Sequence, residues 1–86
     1  MKFLHYEFTL SQGDLIEVTL DKQANVRLLD DANFSYYQQG AKHTYFGGKA
    51  IESPFILRPP HSGHWNVVID LGGYAGTVHA SVRILK

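Results

Sequence analysis

Near the C-terminal end of the chain, Trp65, Val67, Ile69 and Leu71 alternate with His64, Asn66, Val68 and Asp70, and Val78, Ala80, Val82 and Ile84 alternate with Thr77, His79, Ser81 and Arg83. Successive side chains of an extended chain point to opposite sides, so a period of two places one set on a buried face and the other outside. The same rhythm opens the sequence. In FLHYEFTL, Leu4, Tyr6, Phe8 and Leu10 share a face opposite His5, Glu7 and Thr9, and in LIEVTL, Ile16, Val18 and Leu20 oppose Glu17 and Thr19. These runs predict half-buried strands. The polar DKQAN stretch has the composition of a short hairpin connection to a third strand, NVRLLD, and GGYAG joins the last two runs as a second expected hairpin.

Other signals bound the rest of the fold. One short helix is expected near residues 31–39, with Asp31 capping its first turn, Phe34 and Tyr37 three apart, and Gly40 ending it. A strand is expected from His43 to Phe46, interrupted by a bend or bulge at Gly47-Gly48. PFILRPP is fenced by prolines, which cannot donate to a ladder, so it belongs on an edge or stops quickly. About seven short strands with almost no helix predict a mainly all-β fold, a compact antiparallel β-sandwich or partly open barrel. With 86 residues the chain has core enough for a single β domain over residues 1–86.

Charge and composition narrow the functions. Lys plus Arg number 8 and Asp plus Glu 8, with no block of either sign, which argues against nucleic acid and against an anionic membrane as partner. No stretch approaches the roughly 18 apolar residues of a membrane span, and MKFLHYEFTL lacks the apolar run of a signal peptide. With 0 cysteines there is no disulfide framework or thiolate chemistry. The expected location is cytoplasmic, and no cofactor is expected.

The local motif with most chemistry in it is PPHSGHW, residues 59–65, which carries two of the 5 histidines and the only tryptophan. His61 and His64 stand three apart, a helical ligand spacing, but the prolines before them and Gly63 between them disfavour a helix. A turn feeding a strand, with Trp65 plugging the core, is the expected reading. The serine in HSGH is followed by no strand-to-helix turn and is no nucleophile elbow. The doublets in FGGK and LGGYAG match no phosphate-binding fingerprint and read as bends. Asp30 and Asp31 suit a turn or cap more than acid-base work. Tyr36, Tyr37, Tyr45, Phe46 and Tyr74 fall outside the inward positions of the strands, where aromatic rings either close the ends of a sandwich or build a recognition surface.

The segments NVRLLDDANFSYYQQG, YFGGKAIESP and SGHWNVVIDLGGYAG together resemble a bacterial family known as domain of unknown function 1883, over nearly the whole chain. That resemblance implies a compact, mostly β domain of unassigned activity, found in some relatives beside a Toll/interleukin-receptor-like domain, a pairing that suits a sensor or adaptor. It supplies no catalytic residue. The expected function is therefore a non-enzymatic binding or interaction module, with Tyr36, Tyr37, Tyr45, His61 and His64 at its ligand surface. The alternative is a metal-binding protein or metal-dependent hydrolase using His61 and His64 with His5, His79 or Asp70. A homo-oligomer is also expected, because a thin sandwich leaves open edges.

Overall fold

A computed structural model describes residues 3–86. Seven strands and one helix follow in the order β1 (Phe3–Leu10), β2 (Leu15–Leu20), β3 (Ala24–Leu29), α1 (Asp31–Gln38), β4 (Phe46–Ala50), β5 (Phe55–Leu57), β6 (Gly63–Asp70) and β7 (Ala80–Leu85). They form two antiparallel sheets, β1-β6-β3-β4 and β5-β2-β7. The fold is a mainly-β sandwich, as the alternation predicts. No helix among the described residues is long and apolar enough to cross a membrane.

The core lies between the sheets and is made by the inward set of each run: Ile16 and Val18 from β2, Val26 and Leu28 from β3, Leu57 from β5, and Trp65, Val67 and Ile69 from β6. Such side chains each contribute about 1.5–3 kcal/mol when fully buried. β5 is an edge strand of 3 residues between prolines, in line with the sequence.

Both expected hairpins are corrected. β6 lies in one sheet and β7 in the other, because β6 has β1 on one side and β3 on the other and offers β7 no free edge. The DKQAN stretch likewise carries the chain from β2 in one sheet to β3 in the other. Alternation reports which face of a strand is buried and is silent about which sheet it joins. Among the described residues, β3 and β4 are the only consecutive strands that pair, with α1 between them.

The helix sits where expected, but its cap is Asp30, whose side chain accepts from the Asn33 amide at 2.8 Å, and Asp31 is its first residue. The strand expected from His43 to Phe46 instead starts at Phe46 and runs through both glycines. Gly47 has φ +112°, and a Cβ there would lie 2.4 Å from the Val26 carbonyl oxygen of β3. Gly47 permits close approach of two backbones, and the doublet does not end the strand.

Helix α1 lies across the outer face of the four-stranded sheet. Phe34 stacks on His5 of β1 with ring centres 4.0 Å apart, and Tyr37 meets Phe3 edge-on at 5.1 Å. That cover turns a face the pattern assigned to solvent into a second interior. Trp65 through Asp70 are all buried, inward and outward residues alike.

Candidate functional site

The C-terminal end of β6 places Asp70 under the end of α1, where its residue is 2 % exposed. Strands β1 and β3 flank it, with Phe3 and Asn25 as its register partners. Four donors converge on the carboxylate. Oδ1 accepts from Asn25 Nδ2 at 3.0 Å and from the Gly72 amide at 2.8 Å, and Oδ2 accepts from the Tyr37 hydroxyl at 2.7 Å and from the Arg27 guanidinium. Burial alone would raise the pKa of Asp70, but the hydrogen bonds from Tyr37, Asn25 and Gly72 and the charge of Arg27 outweigh it and leave the pKa lowered. The partner hydroxyl responds in the opposite sense, since burial and then the Asp70 carboxylate push the Tyr37 pKa up. Arg27 is held between the Tyr37 and Tyr45 rings, 5.5 and 5.1 Å from their centres.

Asp70 thereby joins three elements: α1 through Tyr37, β3 through Asn25 and Arg27, and the loop of residues 71–79 through Gly72. The far end of that loop is tied as well. The His79 amide donates to the Asp21 carboxylate at 2.9 Å, and the Asp21 amide donates to the His79 carbonyl at 3.1 Å. Between the two ties, the Tyr74 amide closes a turn onto the Leu71 carbonyl at 3.2 Å.

Beneath this loop a cleft of about 850 Å³ opens at the end of the sandwich. Phe3, Leu4, Ile69, Leu71 and Val78 give it apolar walls, and Tyr74, 84 % exposed, stands at the loop that borders it. Its polar side chains belong to Asp70, Tyr74 and Thr77, and the Asp70 carboxylate is committed to its four donors.

A second polar cluster fastens the start of α1. His64 Nδ1 lies 2.7 Å from Asp31 Oδ1, and its Nε2 lies 3.4 Å from Glu7 Oε1. Asn66 Nδ2 donates to the same Asp31 oxygen at 2.8 Å and to the Leu29 carbonyl at 3.3 Å, which turns its Oδ1 toward His5 Nε2 at 2.9 Å. The hydrogen bonds from Asn66 and His64 lower the Asp31 pKa. A carboxyl with a folded-state pKa below its unfolded value adds stability that is present above the unfolded value and lost as pH falls through the folded one. Urea midpoints of the wild type and Asp31→Asn should therefore differ above the ordinary value of 3.8 and converge as the pH drops below it. A difference independent of pH across that range would contradict the assignment.

The residues singled out from sequence part company. Tyr37 is tied to Asp70, while Tyr45 lies on the Arg27 side of the same network. Tyr36 remains exposed on α1. His61 belongs to the turn reading: its carbonyl accepts from the Trp65 indole at 3.1 Å, its ring leans on Trp65 at 5.0 Å, and Trp65 is 2 % exposed. His64 stands between two carboxylates with one nitrogen toward each, the arrangement of a clamp rather than of a chelate. His5 is stacked on Phe34, His79 sits in the loop beside Asp21, and Asp70 is under the helix. Among the described residues no group of three or more His, Asp or Glu side chains is arranged to hold a metal ion. Of the cleft lining, the sequence points to Tyr74 as an aromatic outside the inward strand positions and to Asp70 as a metal ligand, but not to the loop residues around them, and it does not point to Arg27 or Asn25. The available signal was the run Val67-Val68-Ile69, whose unbroken apolar character marks a strand covered on both faces.

The chain matches the family model described as Domain of unknown function (DUF1883) over residues 1–86, and it belongs to that family. No curated protein and no solved structure matches it.

Proposed function

We propose that this member of the family is a non-enzymatic, sensor- or adaptor-like binding module that takes a small, mostly apolar molecule into the cleft beneath the 71–79 loop. The observation that carries the reading is the cleft itself. Its volume of about 850 Å³ falls in the range of small-molecule sites, which are concave and largely apolar with a few orienting polar groups. Ties at Asp70 and Asp21 hold both ends of the loop, so little ordering cost falls on the ligand. A catalytic reading would require an imidazole or carboxylate facing the cleft, and the carboxylate nearest to it is engaged by Asn25, Arg27, Tyr37 and Gly72. The lack of cysteine supports a cytoplasmic setting for the module.

The test is an amide NMR titration of the labelled protein with a set of uncharged aromatic fragments. Shifts should concentrate at Leu71–Val78 and at Phe3 and Leu4. Tyr74→Ala, which removes a ring that is 84 % exposed, should leave the fold intact and weaken such binding roughly fivefold, the scale of one aromatic contact. No shifts at all, or shifts confined to Tyr36 and Tyr45, would overturn the assignment.

A further inference from the structure

We propose that a second copy of this chain docks along the free edge of β1, pairing the two β1 strands antiparallel about a two-fold axis at Tyr6. The inference does not depend on the ligand reading and starts from how each sheet edge is protected. An exposed strand edge is a template for another strand, and proteins blunt such edges with proline, glycine bulges, lysine or short length. β5 has 3 residues between Pro54 and Pro59, and β4 carries Gly47, Gly48 and Lys49. These two strands also pack against each other and close that side of the sandwich. Neither β7, an edge of 6 residues, nor the longer β1 has any of these devices, and β1 is the one with complementary side chains along its length. It runs for 8 residues without proline, glycine or lysine, and its register with β6 is unbroken from Phe3↔Asp70 to Leu10↔Gly63. Its other edge has no partner strand among the described residues.

The side of the sandwich between β1 and β7 is also incompletely sealed. Leu4, Tyr6 and Phe8 of β1, and Ala80, Val82 and Ile84 of β7, pack against the core yet are only partly buried. The tie across this seam is long, from the Tyr6 hydroxyl to the Ala80 carbonyl at 3.5 Å. A second sheet continuing β1 would cover these apolar flanks, which a lone polar ligand would not.

The outer-face side chains of β1, His5 with its Nε2 on Asn66 and Glu7 beside His64, select the occupant and its register through the hydrogen-bonding complementarity of imidazole and carboxylate. Strands paired in one continuous sheet place directly opposed residues on the same face, so a two-fold axis must fall on a residue position. With the axis at Tyr6, His5 faces the partner's Glu7 and Glu7 faces the partner's His5, both on the outer face. On the inner face Leu4 faces the partner's Phe8. Moving the axis to His5 sets His5 against itself, and moving it to Glu7 sets two carboxylates together. Of these three central registers, the Tyr6 one makes the edge complementary to its own copy, the isologous condition for a closed dimer.

Sedimentation velocity over a wide concentration range should give a species of twice the 9.7 kDa chain mass. Glu7→Lys, at an exposed position, should weaken the dimer about tenfold, since it spoils two symmetry-related cross-strand pairs. The register is read by cysteine cross-linking, which is unambiguous in a chain with 0 native cysteines. Opposed residues in an antiparallel pair have Cα atoms about 4.5–5.5 Å apart, within disulfide reach. A mixture of His5→Cys and Glu7→Cys should form the mixed disulfide in preference to either homodimer. A monomer at every concentration, or cross-linking in another pairing, would overturn the proposal.

Discussion

Replacing Asp70 with alanine is expected to destabilise the fold by about 3–5 kcal/mol, because removing one partner of a buried charge pair leaves Arg27 uncompensated. The loss reaches further than the ion pair. The same carboxylate satisfies Asn25, the Tyr37 hydroxyl and the Gly72 amide, so helix, sheet and loop lose their common acceptor together. Arg27 is poorly placed to recover, since its Nε is already buried without a hydrogen-bond partner. In a domain of this size each kcal/mol moves the melting temperature by about 4–8 °C, so thermal unfolding should fall by more than about 12 °C. Tyr37→Phe removes one donor and keeps the ion pair, and should cost about 1.5–3 kcal/mol. A melting temperature of Asp70→Ala within a few degrees of the wild type would show that the joint contributes little.

Gly47→Ala is expected to be comparably damaging, by about 4 kcal/mol, for an unrelated reason. A Cβ at this position would meet the Val26 carbonyl oxygen at 2.4 Å and the Leu57 side chain at 3.2 Å. The first contact is with backbone in the paired strand, which cannot rotate away, and the φ of +112° is strained for any L side chain. Gly73→Ala isolates the strain. Its φ is +90° with nothing within 4 Å of the added carbon, so it should cost only about 1–2 kcal/mol. Denaturant midpoints of the two variants that coincide would remove the clash from the explanation.

Much of the fold was legible because period two is a direct consequence of burying one side of a strand. It places Leu4, Tyr6, Phe8 and Leu10 of β1 correctly against the core, and it puts Trp65, Val67 and Ile69 inward on β6. Proline reports just as directly on the short edge strand at Phe55–Leu57. What failed was long-range information. The two expected hairpins join strands of different sheets, since nothing local to GGYAG or DKQAN records that β6 is already flanked on both sides.

The site was less legible than the fold. Asp70 stands at an outward position of its strand and so read as a surface carboxylate or a metal ligand. Only the docking of α1 on that face makes it an interior anion. The sequence places Tyr37 on the short helix and at the ligand surface, but its ring and hydroxyl are what carry the helix onto the sheet. PPHSGHW reduces to a turn whose His61 carbonyl receives the Trp65 indole, so its second histidine is free to face Asp31 and Glu7. The cleft could not be read from the sequence at all, because its walls come from the start of β1, the end of β6 and the loop that follows it.

The claim at the centre, that an ionised Asp70 under α1 holds the 71–79 loop in place over its cleft, is tested most directly by following the Asp70 carboxyl carbon and the Gly72 amide by NMR through an acid titration. Asp70 should titrate below its ordinary value of 3.8, and the Gly72 amide should move only when Asp70 itself takes up a proton. An Asp70 that titrates at or above 3.8, or a Gly72 amide indifferent to it, would contradict that claim.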